Sequence, residues 1–141
     1  MQLSITEEKI NQLEKSVLTL LYFVKDNKIQ RYNRLQLALY HMRESFLPAF
    51  DFKSNNKWGK ADENIRNFLN LLCGEIDSEV KREGDTPYLI YHLTVNGLSH
   101  AEQLVSELTE DELLVLKHIS NCINVHSEEI SLKPLISCLE K

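Results

Sequence analysis

The sequence is poor in the residues that interrupt regular secondary structure, with four glycines and three prolines among 141 residues. A sandwich of many short strands needs more turns than this, so the shortage favours long helices. Long apolar runs are missing as well, because the longest, residues 18–24, falls far short of the ~18 residues that cross a bilayer. Residues 1–4 lack the basic start and cleavage site of a signal peptide. We therefore expect a cytoplasmic protein without a membrane partner.

Cysteine is also scarce. Cys73, Cys122 and Cys138 form an odd set without a C-x-x-C pair, so their spacing indicates neither a disulfide framework nor a zinc site. This predicts three small, buried, apolar residues. The alternative is an exposed thiol at Cys138, close to the C-terminus.

Sequence signatures of catalysis are absent. None of the five histidines belongs to an H-x-x-x-H or H-E-x-x-H motif, and the sequence has no glycine-rich phosphate loop. His118 and Cys122 form a metal-like pair one helical turn apart, but a metal site needs three or four converging ligands. The acidic residues at 110–112 and 128–129 fit helix N-terminal charges better than paired catalytic carboxylates. The sequence predicts no enzyme, no metal and no cofactor.

Positive charge is concentrated in one segment of a chain whose net charge is −5. Residues 25–60 carry eight cationic and three anionic side chains, whereas acids outnumber cations in every other part of the chain. This asymmetry indicates where an anionic partner would bind.

Helical periodicity dominates the first half of the chain. Apolar residues from Ile10 to Val24 predict a first helix of about 18 residues that starts after Ser4 or Thr6. Asp26-Asn27 breaks this helix, and residues 28–30 could form a brief strand edge. Two further helices are expected from their boundary residues. Asn33 is the expected N-cap of the second helix, and Pro48 ends it. Asp62 is the expected N-cap of the third helix, and Gly74 lies just past its end.

A β-hairpin and three more helices are expected after the third helix. Residues 79–82 and 88–93 read as strands, and Glu83-Gly84-Asp85-Thr86-Pro87 between them has the composition of a turn. The later helices are expected at residues 96–108, 109–125 and 132–139. Thr109 and Glu112 form a capping box at the start of the middle one.

This order of elements is that of a winged helix-turn-helix domain, in which three helices bury their apolar stripes and the ribbon closes the core. The expected fold is therefore mainly α with a small β-hairpin, in a single domain. Residues 1–97 form the winged-helix core, and residues 98–141 add C-terminal helices.

Two segments carry a resemblance to known proteins. Residues 34–40, RLQLALY, resemble the R-L-Q-K-x-x-F helix of small prokaryotic winged-helix proteins that include the Panacea antitoxin domain. Residues 91–98, YHLTVNGL, are similar to the Y-x-L-T-x-x-G segment that leaves the wing in this group and in PadR- and MarR-like regulators. The resemblance spans about residues 5–108 and implies a regulator, an adaptor or a toxin neutraliser. The chain departs from the pattern at Leu37, where Lys is usual, and at residues 57–60, KWGK, where the group has G-P-Y/F-S.

The candidate nucleic-acid-binding residues lie in or just before the third helix and on the ribbon. Arg and Asn pair with guanine and adenine edges, and Lys contacts phosphates. The set is Lys53, Lys57, Lys60, Asn64, Arg66, Asn67, Lys81 and Arg82. Carboxylates nearby would repel a duplex, namely Asp62, Glu63, Asp77, Glu79, Glu83 and Asp85. Two hypotheses follow: a regulator that binds double-stranded DNA, or an antitoxin- or adaptor-like module that binds a protein partner.

The last third of the sequence holds more apolar residues than a three-helix core and a wing require. We expect these residues to form a homodimer interface together with the first helix, since most soluble oligomers have two-fold symmetry. The alternative is that they cap the same core.

Overall fold

In the computed structural model, which describes residues 5–50, 64–72, 74–127 and 131–141, helices dominate and three strands form one antiparallel sheet. The helices are α1 (Ile5–Phe23), α2 (Tyr32–Phe46), α3 (Asn64–Asn70), α4 (Val95–Ser106), α5 (Glu110–Val125) and α6 (Lys133–Leu139). The strands are β1 (Lys28–Gln30), β2 (Ile76–Glu83) and β3 (Thr86–Leu93), in the spatial order β1-β3-β2. The prediction of a mainly helical chain with a small β element is confirmed.

Helix α1 is the centre of the core and packs against α2, α3, α4 and α5. Its middle is buried on every side, so that even Ser16 and Thr19 are fully enclosed. Both hydroxyls donate hydrogen bonds to backbone carbonyls one turn earlier, Ser16 to Gln12 and Thr19 to Lys15. Each donor–acceptor distance is 2.6 Å. These bonds satisfy the two polar groups without water.

Part of the apolar surplus of the C-terminal third packs on this same core. Leu116, Ile119 and Ile123 of α5 and Leu135 and Leu139 of α6 are buried within the chain. This packing agrees with the alternative expectation, in which the C-terminal apolar residues cap the same core. The homodimer stays a prediction, because this packing buries only part of the surplus and leaves Leu114 of α5 67% exposed.

The hairpin is longer and its turn tighter than the sequence predicts. Strands β2 and β3 pair from Ile76 opposite Leu93 to Glu83 opposite Thr86, which leaves a two-residue turn at Gly84-Asp85. Gly84 has φ of +61°, a left-handed conformation that glycine adopts without a steric penalty. The brief strand at residues 28–30 is confirmed as β1 and pairs with β3 at the sheet edge.

The prediction that Asn33 caps α2 is wrong. Arg31 occupies the N-cap position with φ of 74°, and Asn33 lies inside the first turn. The backbone N–H of Arg31 donates to the carbonyl of Leu89 on β3, so a bond to the sheet sets the start of the helix. The other end matches the prediction, because α2 stops at Phe46, just before Pro48.

The expected third helix is shorter than predicted, since α3 ends at Asn70 and not beside Gly74. The carbonyl of Leu72 accepts hydrogen bonds from the backbone N–H groups of Glu75 and Ile76, which turns the chain directly into β2. The proposed cap, Asp62, lies outside the described residues.

The expectation of unpaired cysteines is wrong for two of the three. Cys122 on α5 and Cys138 on α6 form a disulfide with a Cα–Cα distance of 5.7 Å. Their pairing follows from the packing of α6 back onto α5, a contact that the spacing of cysteines in the sequence does not reveal. It also removes Cys122 as a metal ligand beside His118 and Cys138 as a free thiol. Cys73 lies outside the described residues.

Among the described residues, each helix is too short or too polar to cross a bilayer.

Candidate nucleic-acid interface

Helix α3 carries asparagines along one face and apolar residues along the other. Asn64, Asn67 and Asn70 recur at every third position, which places them on one side of the helix. The side chains of Asn67 and Asn70 are exposed, whereas Ile65 and Leu69 are buried in the core. Asparagine is a weak helix former because its amide competes for backbone hydrogen bonds. The exposed face of this helix is therefore rich in amide groups at the expense of helix stability.

The structure locates some of the sequence-predicted binding residues and not others. Lys53, Lys57 and Lys60 lie outside the described residues, as do Asp62 and Glu63. Asn64 and Arg66 are placed by the backbone of α3, and their side chains are outside the described part. Asn67, Lys81 and Arg82 are exposed, the first on α3 and the other two on β2.

Lys81 and Arg82 lie on opposite faces of the hairpin, because successive residues of a strand alternate. Lys81 shares its face with three carboxylates, those of Asp77, Glu79 and Glu83. Arg82 shares the other face with Ile76, whose buried side chain belongs to the core. The exposed part of β2 is thus acidic on one face and carries a cation, Arg82, on the other.

Arg31 joins the hairpin to the start of α2. Its guanidinium lies 4.3 Å from the centre of the Tyr88 ring and forms an ion pair with Glu83. Sequence reasoning did not single out Arg31, although it belongs to the basic segment 25–60. Because Arg31 neutralises Glu83, the charge on the hairpin is less acidic than its sequence implies.

Arg34, in the segment that resembles the R-L-Q helix, points into the molecule. Its side chain is 2% exposed, and its Nη1 donates a hydrogen bond to the carbonyl of His126 at a distance of 2.7 Å. Arg31 and Arg34 therefore serve internal contacts. The net charge of residues 25–60 overstates the positive charge that this segment offers to a partner.

The segment after the hairpin fixes α3 and β2 to α4. Thr94 caps α4, because its hydroxyl accepts a hydrogen bond from the N–H of Gly97 at a distance of 3.0 Å. The same hydroxyl donates a hydrogen bond to the carbonyl of Gly74 at 2.8 Å. The Thr94 N–H also donates to the carbonyl of Glu75 over 2.9 Å. Gly97 is buried against this same carbonyl, and a Cβ atom on it would lie 1.9 Å from the oxygen. The threonine and the glycine of YHLTVNGL, Thr94 and Gly97, therefore hold the start of α4 against Gly74 and Glu75.

A charged cluster lies directly beside this junction. Glu75 approaches His100 of α4, with 2.9 Å between Oε1 and Nδ1, and His100 Nε2 lies 3.8 Å from Oε1 of Glu14 on α1. Burial and the neighbouring Glu75 carboxylate raise the pKa of Glu14. Sequence reasoning missed this cluster because three separate elements supply its members, and no spacing in the sequence connects them.

Comparisons of the chain with models of protein families, with curated proteins and with solved structures found no match. The geometry of α3, the hairpin and their surroundings is therefore what bears on function.

Proposed function

We propose that the chain is a winged-helix domain that binds double-stranded DNA through α3 and the β2–β3 hairpin, as a transcriptional regulator does. The element order α1-β1-α2-α3-β2-β3, with β3 between β1 and β2, supports the winged-helix assignment. In such domains the third helix enters the major groove and the hairpin contacts the backbone or minor groove.

The asparagine face of α3 is the observation that carries the DNA proposal. An asparagine amide pairs with N6 and N7 of adenine in the major groove, and each such pair contributes about 1–3 kcal/mol of discrimination. Asn67 and Asn70 are exposed on one helix face and lie opposite the core residues Ile65 and Leu69. Surface residues that weaken their own helix are candidates for functional positions.

The backbone contacts would come from few cations. Lys81 and Arg82 are exposed on β2, and the sequence places Lys53, Lys57 and Lys60 before α3. Five phosphate contacts give a slope of log affinity against log salt no steeper than about −4.5. We therefore propose that affinity falls steeply with salt, by a slope set by these few cations, and that base contacts supply much of the specificity.

Replacing Asn67 and Asn70 together with alanine is expected to weaken binding to a selected DNA site by about thirtyfold or more, while leaving the fold as stable as before. Alanine is the better helix former, so stability should not fall even though the base contacts are lost. Selection from random duplexes would supply the site, and fluorescence anisotropy and thermal unfolding would measure the two effects. Asn121→Ala, at an exposed position of α5, is the matched control.

The cations provide a second readout in the same assay. Arg66→Ala should reduce affinity for the selected site by about 1–3 kcal/mol, whereas Lys57→Ala or Lys60→Ala should weaken all sequences alike. If selection yields no enriched sequence, or if the double asparagine variant binds like the wild type, the regulator proposal is wrong.

One observation favours a second candidate, a module that binds a protein partner. Asp77 and Glu79 lie on one face of β2, and Asp85 lies in the turn, where a duplex would be repelled. A basic protein surface would instead be attracted. Replacing Asp77 and Glu79 with their amides separates the two candidates, because it should tighten DNA binding but weaken binding of a basic partner.

A further inference from the structure

We propose that Glu14, Glu75 and His100 bind a divalent transition-metal ion of the zinc type, which ties α1 and α4 to the base of the hairpin. The three residues come from α1, from the turn before β2 and from α4. One ligand atom from each lies within 4.8 Å of the other two. Tetrahedral ligands at 2.0–2.2 Å from one zinc ion lie about 3.3–3.6 Å apart, so the side chains would have to rotate to close a gap of up to about 1.5 Å.

The position of Glu75 is fixed by the backbone around it. Its N–H donates to the carbonyl of Leu72, its carbonyl accepts from Thr94, and Gly97 packs against that carbonyl. The backbone from which the Glu75 side chain extends toward His100 is therefore fixed by contacts that involve neither side chain. Such a preorganised ligand lowers the entropic cost of binding an ion.

One oxygen of this carboxylate lacks a partner. Oε2 of Glu75 is enclosed, and it accepts no hydrogen bond in the part of the chain that the structure describes. An enclosed carboxylate oxygen without a donor is costly, and native structures rarely leave one in that state. A metal ion between Glu14 and Glu75 would satisfy it. The competing explanation is a proton shared by the two carboxyl groups.

The chemistry of the donors selects the class of ion. Two carboxylate oxygens and one imidazole nitrogen suit zinc, whereas magnesium and calcium prefer sets made of oxygen. The three side chains are between 27% and 31% exposed, so an ion can reach them from solvent. Three protein ligands leave a fourth position for water.

The experiment is a calorimetric titration of the chelator-treated full chain with zinc chloride, together with thermal unfolding. We expect one zinc ion per chain and a melting temperature that rises with zinc concentration. Glu14→Gln and His100→Asn should each weaken zinc binding by about tenfold or more, as loss of a ligand does. Glu44→Gln on α2 is the matched control, since Glu44 is 88% exposed and far from the cluster in sequence.

The shared proton and the metal ion give different results. If the carboxyl groups only share a proton, Glu14→Gln still changes thermal stability, but wild-type protein shows no zinc-dependent shift, and the proposal is wrong. Unchanged zinc affinity in both variants would also overturn it. Cobalt substitution adds a spectroscopic check, because a thiolate charge-transfer band would assign the ion to a cysteine. None of these readouts involves DNA, so this proposal stands or falls separately from the proposed function.

Discussion

Gly97→Ala is expected to destabilise the chain by about 3 kcal/mol, although alanine is normally the better residue in a helix. The added methyl group would lie 1.9 Å from the Glu75 carbonyl oxygen and 2.8 Å from its carbon. Both atoms belong to the backbone, so no side-chain rotation relieves the overlap. Moving α4 away would stretch the 2.9 Å bond from Thr94 to Glu75 and the 2.8 Å bond from Thr94 to Gly74.

The control for this prediction is the neighbouring glycine of the same junction. A Cβ atom added at Gly74 meets no atom within 4 Å in the described part of the chain. Gly74→Ala should therefore change the free energy of unfolding by less than about 1 kcal/mol. Urea unfolding of the two variants beside the wild type measures the difference. Equal stability of the two variants would show that α4 does not pack against Glu75 as described.

The elements that the sequence predicts well are those set by local patterns. The 3.6-residue periodicity of α1 and the capping box at Thr109 and Glu112 are local signals, and both are confirmed. The start of α2 is not local, because a hydrogen bond from Arg31 to the sheet displaces the cap that Asn33 would supply. Sequence reasoning failed where a partner distant in sequence decides the conformation.

The candidate sites divide in the same way. The repeat of asparagine at every third position of α3 can be seen in the sequence, although residue type alone singled out Asn64 and Asn67 and omitted Asn70. By contrast, the cluster of Glu14, Glu75 and His100 exists only once α1, the turn before β2 and α4 are packed together. Counting charges also misled, because burial of Arg34 is a tertiary property.

The cysteines illustrate this limit most clearly. An odd set without close spacing predicts free thiols, and nothing in the local sequence distinguishes Cys122 and Cys138 from Cys73. Cys122 and Cys138 form a disulfide because α6 packs against α5. Cys122 is fully buried there, whereas Cys138 is partly exposed.

Reduction of this disulfide is expected to lower the free energy of unfolding by about 3 kcal/mol, the value for closing a loop of roughly 15 residues. The sequence separation of the pair is 16 residues. For a chain of this length that loss corresponds to a fall of about 10 °C in melting temperature. Helix α6 should be most affected, because seven residues are too few to form a helix without tertiary contacts.

Thermal unfolding with and without a reductant measures this effect, and cysteine variants provide the controls. The double variant Cys122→Ser, Cys138→Ser should melt near the temperature of the reduced wild type and show no response to the reductant. Cys73→Ser should keep the full response, because it leaves the pair intact. If the untreated protein contains three titratable thiols and the reductant does not change its melting temperature, Cys122 and Cys138 are not bonded. The buried contacts of Leu135 and Leu139 would then hold α6 in place without a covalent bond.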